Sequence, residues 1–498
     1  MNHIIHYLMA GLALLGMQAC DSLFDNELPK HDLVGDNAIV DQKSAETALN
    51  DVYSYLDNSS YNGGDLNTNL ITYNNIRLNF MTNRNASSFE RDQVYRMTYD
   101  ETDTNFEGGW EMAYQIINAA NNVIYYVEQL SDDKFAAGHK NEILAEARFI
   151  RAFANMYLME NYAQFWDTSS PYGLVLRLEP SALSNNTLAR STVDSSYNAI
   201  FADLDFAIQH APDFYSVYRA CKTTAKAFKA NWLMVRGTQA DREEAIRLAD
   251  EVLGSEEFAM EENYADIFRN KYTSTELLFT QYTDRAQGIM ENVQGLFQKL
   301  GSGQYRPKEY TADDDLSRFF EIMDNPEEER YKATLDSIFL EEGSPQERIA
   351  WVKHYDSSEE ATMPMYYLRV AQATMPMYYL RVAQMYLIKA ESMCYLDGYT
   401  TEDVATQLNV LRDRAHSTHV EASDYTSKDQ MLEEIFREYV RELSSENGDV
   451  FFYAARTFVN GERLLKSYNS YFTNDNQLCF PIPARELEIN FLATQNPY

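Results

Sequence analysis

The residue spacings that mark common catalytic chemistries are missing from this chain of 498 residues. Its eight histidines form neither an H-E-x-x-H nor an H-x-H pattern, and no phosphate-binding glycine loop or dinucleotide fingerprint occurs. Zinc-assisted hydrolysis, nucleotide hydrolysis and hydride transfer therefore have no support. With 76 acidic residues, carboxylate pairs arise by chance, and none stands in a recognisable hydrolase motif. Of the four cysteines, Cys20 lies near the start, and Cys221, Cys394 and Cys479 are an odd, widely spaced remainder without a C-x-x-C pair. That pattern argues against both a disulfide framework and a zinc site, and the three read as small buried hydrophobes. The expectation is a protein that is not an enzyme and carries no cofactor or metal.

What the chain does offer is contact chemistry. Thirty-six tyrosines supply flat apolar rings with a polar tip, suited to contacts at a wet surface. Two regions join such rings to hydrogen-bonding side chains in expected loops. The first precedes the helix at Trp110 and offers Asn83, Arg84, Tyr95 and Tyr99; the second holds Tyr282, Tyr305 and Tyr310, with Trp351 beyond it. A net charge of -34 repels polyphosphate and anionic membrane surfaces, so nucleic acid is excluded and a neutral or cationic ligand is favoured.

The elements that must position these residues follow from periodicity. The apolar run Tyr7 to Met17 is too short to span a bilayer and suits an export signal over residues 1–19. Residues 20–44 are an acidic, turn-rich tether, and the folded part begins near Ala45. Helical spacing of apolar residues predicts helices over Ala45 to Leu56, Trp110 to Leu130, Asn141 to Phe165, Ser195 to Gln209, Ala220 to Val235, Asp241 to Leu253, Tyr378 to Leu396 and Gln430 to Leu443. Small alanines on their apolar stripes, as at Ala145 and Ala152, let neighbours approach closely. The expected fold is mostly α, built of divergent tetratricopeptide-type helix pairs over 45–255 and 376–498, with an attached loop-rich lobe of short strands over about 256–375. Pro481 and Pro483 forbid helix before Ala484.

Taken in order, these segments resemble the SusD/RagB family of surface lipoproteins. EGGWEMAYQIINAANNVIYYVEQL carries Tyr114, Ile117, Ala120 and Asn121 at the family's spacing, AEARFIRAFANMYL follows, and Arg190, Val193, Tyr197, Ile200, Asp203 and Leu204 match a third pattern. LRVAQMYLIKAES and the ending FPIPARELEINFLATQNPY are similar to the family's late helix and finish. One departure is Glu446-Asn447-Gly448-Asp449, where the family has Glu-Gly-x-Arg. The resemblance implies a SusD-like fold, lipidation at Cys20 and an outer-membrane position facing the exterior. It also implies capture of oligosaccharide, or in some relatives peptide, for a SusC-like TonB-dependent transporter. A structural or adhesive surface protein is the alternative from another class. For sugar, rings lie against the apolar face of each pyranose while Asn, Asp, Gln or Arg meet its hydroxyls. The two loop regions fit that need.

ATMPMYYLRVAQ occurs twice without a difference, from Ala361 to Gln384. Twelve residues are too few for a stackable unit, and Pro376 interrupts any helix begun in the first copy. The expectation is that the second copy supplies the packed helix, beginning near Tyr378, and that the first is displaced into a strand or loop.

Overall fold

The computed structural model describes residues 38–57, 66, 68–80, 82–83, 93–282, 305–306, 317–339, 347–351 and 377–497. Six helices make the first half of the scaffold: α1 (Gln42–Asp57), α2 (Glu107–Gln129), α3 (His139–Tyr162), α4 (Val193–His210), α5 (Lys222–Arg236) and α6 (Gln239–Leu253). After the lobe come α7 (Val382–Tyr395), α8 (Thr401–Arg414), α9 (Lys428–Leu443), α10 (Asp449–Arg456) and α11 (Ala484–Ile489). Most pack on a sequence neighbour, α2 on α3, α3 on α4, α5 on α6 and α7 on α8; α7 also lies against α6, joining the two halves, and α9 packs chiefly on α7.

The mostly helical architecture agrees with expectation, and its causes are local. Ala145, Phe149, Ala152, Phe153 and Met156 are all buried on α3, which lies between α2 and α4 as the small alanines allow. Thr192, Thr238, Thr400 and Ser427 cap the helices they precede, each accepting a backbone N–H of the first turn. The α8 segment was absent from the sequence reading, although Thr400 and Asp403 form a capping box there. Trp110, Trp232 and Cys221 lie in the core as expected, whereas Cys394, expected there too, is half-buried near the end of its helix.

The polar residues of the family patterns act as cross-links. Arg151 on α3 makes a bidentate pair with Asp203 on α4, both bonds 2.7 Å, and donates to Asn121 Oδ1 on α2 at 2.8 Å. One motif residue from each of three helices thus meets at one buried point. Arg190 donates to the carbonyls of Gly173, Tyr172 and Thr494 and to Asn496 Oδ1, fastening the C-terminal segment to the loop after α3. That loop passes so close to α4 that a Cβ on Gly173 would lie 2.5 Å from Ser196 Oγ, leaving no room for another residue.

Among the described residues, eight short strands form four antiparallel pairs: β1 (Thr82–Asn83) with β3 (Tyr305–Arg306), β2 (Leu277–Phe279) with β6 (Leu380–Arg381), β4 (Leu335–Phe339) with β5 (Glu347–Trp351), and β7 (Phe458–Val459) with β8 (Glu462–Arg463). β6 corrects the sequence reading of the doubled segment. The second copy does lead into the helix, but Tyr378 and Tyr379 are buried in extended chain, Leu380 and Arg381 pair with β2, and the helix starts at Val382. The first copy lies outside the described residues.

Strand pairing holds Arg381 at the centre of a buried ionic cluster. Its guanidinium contacts Glu446 at 2.6 Å and Glu442 at 3.1 Å, and also Glu276. Arg414 bridges Glu276 and Glu442, and Arg330, Arg412 and Arg441 gather around Glu438. Burial alone would raise the Glu438 carboxyl, but the three guanidiniums outweigh it and hold the group down at about 2. The cluster ties Glu276 and Arg330 of the lobe to α8 and α9.

Candidate functional site: a tyrosine platform and a group of converging strands

Two of the expected contact residues meet through backbone pairing. Asn83 stands opposite Tyr305 in the β1–β3 register, although 222 positions separate them in the chain. β3 lies against β5, the strand that ends at Trp351, and Trp351 in turn faces Leu335 across the β4–β5 pair. Segments from both predicted regions therefore share one small group of strands. Arg84, Tyr310 and Cys20 lie outside the described residues.

The remaining three expected residues divide. Tyr99 packs edge-on against Phe106 and Phe480 at 5.4 and 5.1 Å, beneath the Arg77 guanidinium, and burial pushes its hydroxyl up to about 12. Its ring is half-buried and packs against the core. Tyr95 is half-buried, with its ring 5.3 Å from that of Tyr471, over which Arg96 also lies. Tyr282 remains 55% exposed and does not stand alone.

Tyr282 joins Tyr218 at 5.0 Å and Tyr272 at 6.2 Å, and those two are 6.4 Å apart. The three rings form a tilted surface cluster drawn from the loop before α5, the turn before β2 and the chain just after β2. Its foundation is a separate small core of Val217, Tyr264, Ile267, Phe268, Leu277 and Tyr378, on which Tyr218 and Tyr272 rest. A backbone hydrogen bond from Thr280 N–H to the Val217 carbonyl at 2.9 Å fixes the two chain segments side by side. The next residue, Arg219, locks the loop: it donates to Glu146 at 2.7 Å and Asn50 at 2.6 Å and lies over the Tyr53 ring. Beside it the Tyr215 hydroxyl, 58% exposed, is pushed up to about 12 by burial and by the Glu146 charge, so it stays a neutral donor at ordinary pH.

Sequence reading found Tyr282 and missed Tyr218 and Tyr272. A signal existed: APDFYSVYRA, between two strong helix patterns, carries three aromatic residues in a connection that helical packing does not need. The exposed Tyr282 ring, held at fixed tilt against two half-buried ones, offers an apolar face with a polar tip, suited to a ligand that joins apolar faces to hydroxyl edges. Among the described residues no group of three or more His, Cys, Asp or Glu side chains is disposed to hold a metal ion. No described helix is long and apolar enough to cross a membrane.

Comparison with known proteins agrees with this architecture. Residues 28–232 match the family model described as "Starch-binding associating with outer membrane", and residues 351–498 match the SusD family model. SusD-like protein P2 of Formosa agariphila is 24% identical over 273 residues, covering 54% of this chain and 50% of that protein. A SusD-like protein of Bacteroides ovatus is 26% identical over 179 residues, covering 34% of this chain and 31% of the relative. The chain thus spans half or less of the curated relatives it matches. Among solved structures, a SusD superfamily protein of Bacteroides thetaiotaomicron superposes with a TM-score of 0.72 at 20% identity, covering 92% of this chain and 99% of the other. A laminarin-binding SusD-like protein gives 0.70 at 19% identity, covering 92% and 100%. The helix order, the cross-linked motif residues and both family models lead to one conclusion: this chain belongs to the SusD/RagB family.

Proposed function

We propose that the protein is a surface lipoprotein that captures oligosaccharide and presents it to a SusC-like TonB-dependent transporter, without acting as an enzyme. The observation that carries this reading is the Tyr218, Tyr272 and Tyr282 cluster at the lobe, in which the exposed Tyr282 ring stands against two half-buried rings founded on a small core of their own. Asn83, Tyr305 and Trp351, on the strand group β1, β3 and β5, are the further residues of the proposed contact set. The family model's association with the outer membrane and the laminarin-binding neighbour support a glycan ligand over a peptide one. A charge of -34 is compatible with a neutral polysaccharide and opposes an acidic one.

The test is calorimetry with laminarin, starch and xylan oligosaccharides beside a panel of peptides. Binding to a neutral glycan is expected, with Tyr282→Ala weakening it about tenfold, since loss of one stacked ring is worth roughly 1 to 1.5 kcal/mol. Peptide binding with silence across all glycans overturns the reading. The anchor is tested separately: Cys20 is expected to carry lipid at the mature N-terminus, so metabolic labelling with a fatty acid should be lost in Cys20→Ala. Undiminished labelling in that variant removes the Cys20 anchor from the proposal.

A further inference from the structure

A second concave surface lies on the helical scaffold, between α1 and α2. It is a groove of about 500 Å³, within the range of roughly 300 to 1,000 Å³ that small-molecule sites occupy. Gln115, Asn118, Asn122 and Tyr126 follow one another along the α2 side, and Asp51 and Tyr55, one turn apart, line the α1 side. Two facing rows of polar groups, each containing a tyrosine ring, thus bound the same space.

The hydrogen bonds already made show what the groove leaves available. Asn118 accepts the Ser181 N–H through Oδ1 at 2.8 Å, which fixes its amide and turns Nδ2 to other use. Asn122 donates Nδ2 to the Asn118 carbonyl at 2.9 Å, which leaves Oδ1 as an acceptor. Among the described residues none bonds the Gln115 amide, the Tyr55 hydroxyl or the Asp51 carboxylate. The groove therefore presents both donors and acceptors, one carboxylate and two rings, and among the described residues no lysine, arginine or histidine lines it. A phosphate, sulfate or uronate would meet Asp51 with nothing to neutralise it. A hydroxyl, able both to donate to Asp51 and to accept from an amide, satisfies every group at once.

We infer that the α1–α2 groove is a second saccharide site, for a short stretch of neutral glycan, distinct from the tyrosine platform at the lobe. Its chemistry stands on its own residues. The experiment is therefore arranged so that the two sites fail or succeed separately. The purified chain is titrated with maltohexaose, laminarihexaose and xylohexaose at millimolar concentration, followed by saturation-transfer NMR. Gln115→Ala with Asn122→Ala is the groove variant; both positions are on the accessible side of α2, where alanine favours the helix, so folding is kept. Tyr282→Ala is the platform variant.

Binding that survives in Tyr282→Ala and falls at least fivefold when the groove substitutions are added supports the inference, whether or not the platform reading holds. Binding abolished by Tyr282→Ala alone, or unchanged by the groove substitutions in that background, overturns it and leaves the platform reading standing. Absence of saccharide binding in the unsubstituted chain overturns both.

Discussion

Arg381→Met is expected to cost the fold about 3 to 5 kcal/mol, seen as a lower urea midpoint with little change in slope. The side chain is fully buried and meets Glu276, Glu442 and Glu446, while its Nη2 also donates to the Glu442 carbonyl at 3.0 Å. Methionine fills most of the volume and removes the charge, so the loss measures three carboxylates left with too few cations. Adding Glu446→Gln to Arg381→Met should return part of that loss, because one orphaned charge is then gone. The wild-type protein should show a matching acid limb. Glu438 and Glu442 are both held below the ordinary glutamate value; burial opposes this, and the guanidiniums around them outweigh it. Their contribution is complete above the unfolded value near 4.5 and is lost as the pH falls from there toward about 2. Removing one twelve-residue copy gives the same sequence whichever copy is cut and retains one such arginine, so stability should hold. A change below about 0.5 kcal/mol in Arg381→Met would remove the cluster from any account of how the lobe is attached.

The same cluster shows where sequence reading stops. Most helices were legible because each carries its own period: the alanine and phenylalanine stripe of α3 is visible within a dozen residues and needs no knowledge of the partner, whereas α8, which brings Arg412 and Arg414 to the cluster, was not. Motif residues such as Asn121, Arg151, Asp203 and Arg190 could be seen as a pattern, but their meeting is a product of packing. The ionic cluster draws Glu276, Arg330, Arg381, Arg414 and Glu438 from five separate elements, and among 118 charged side chains nothing local distinguishes them. The tyrosine platform has the same origin. Tyr282 could be nominated because its loop is polar and aromatic, whereas Tyr218 and Tyr272 become candidates only once the Val217 to Thr280 hydrogen bond sets them beside it. Tyr99 has a neighbour that its local stretch does not announce: the C-terminal Phe480 returns from far along the chain to pack against the half-buried ring. The start of α7 was missed by four residues for a related reason: Tyr378 to Arg381 are compatible with helix locally, and pairing with β2 draws them into extended chain instead.

Glu160 is a group whose setting opposes its charge. It lines a small pocket of about 40 Å³ together with Asp449, Asn231 and Asn447, and none of the described residues donates a hydrogen bond to its carboxylate. Asp449 sits where the resembling pattern places arginine, so a cation expected at this point is replaced by a second carboxylate. Its oxygens accept from Asn231 at 3.2 Å and from Gln384, and its N–H is held by Asn447 Oδ1 at 3.0 Å. Burial, and then the Asp449 charge, push Glu160 well above the ordinary glutamate value, against a smaller opposing pull from Arg456. Burial raises Asp449 as well. A folded value above the unfolded one means that the native state binds the proton more tightly, so this group subtracts stability as the pH climbs past the unfolded value near 4.5. Glu160→Gln removes the titration and keeps the shape. The variant should match the wild type at about pH 5 and exceed it by on the order of 1 to 3 kcal/mol at about pH 9, where the wild type must bury or expel an unpaired carboxylate. Urea midpoints for both proteins across that range give the answer. A gap that stays constant with pH, or a variant less stable than the wild type at about pH 9, would show that Glu160 finds a counter-charge in solution.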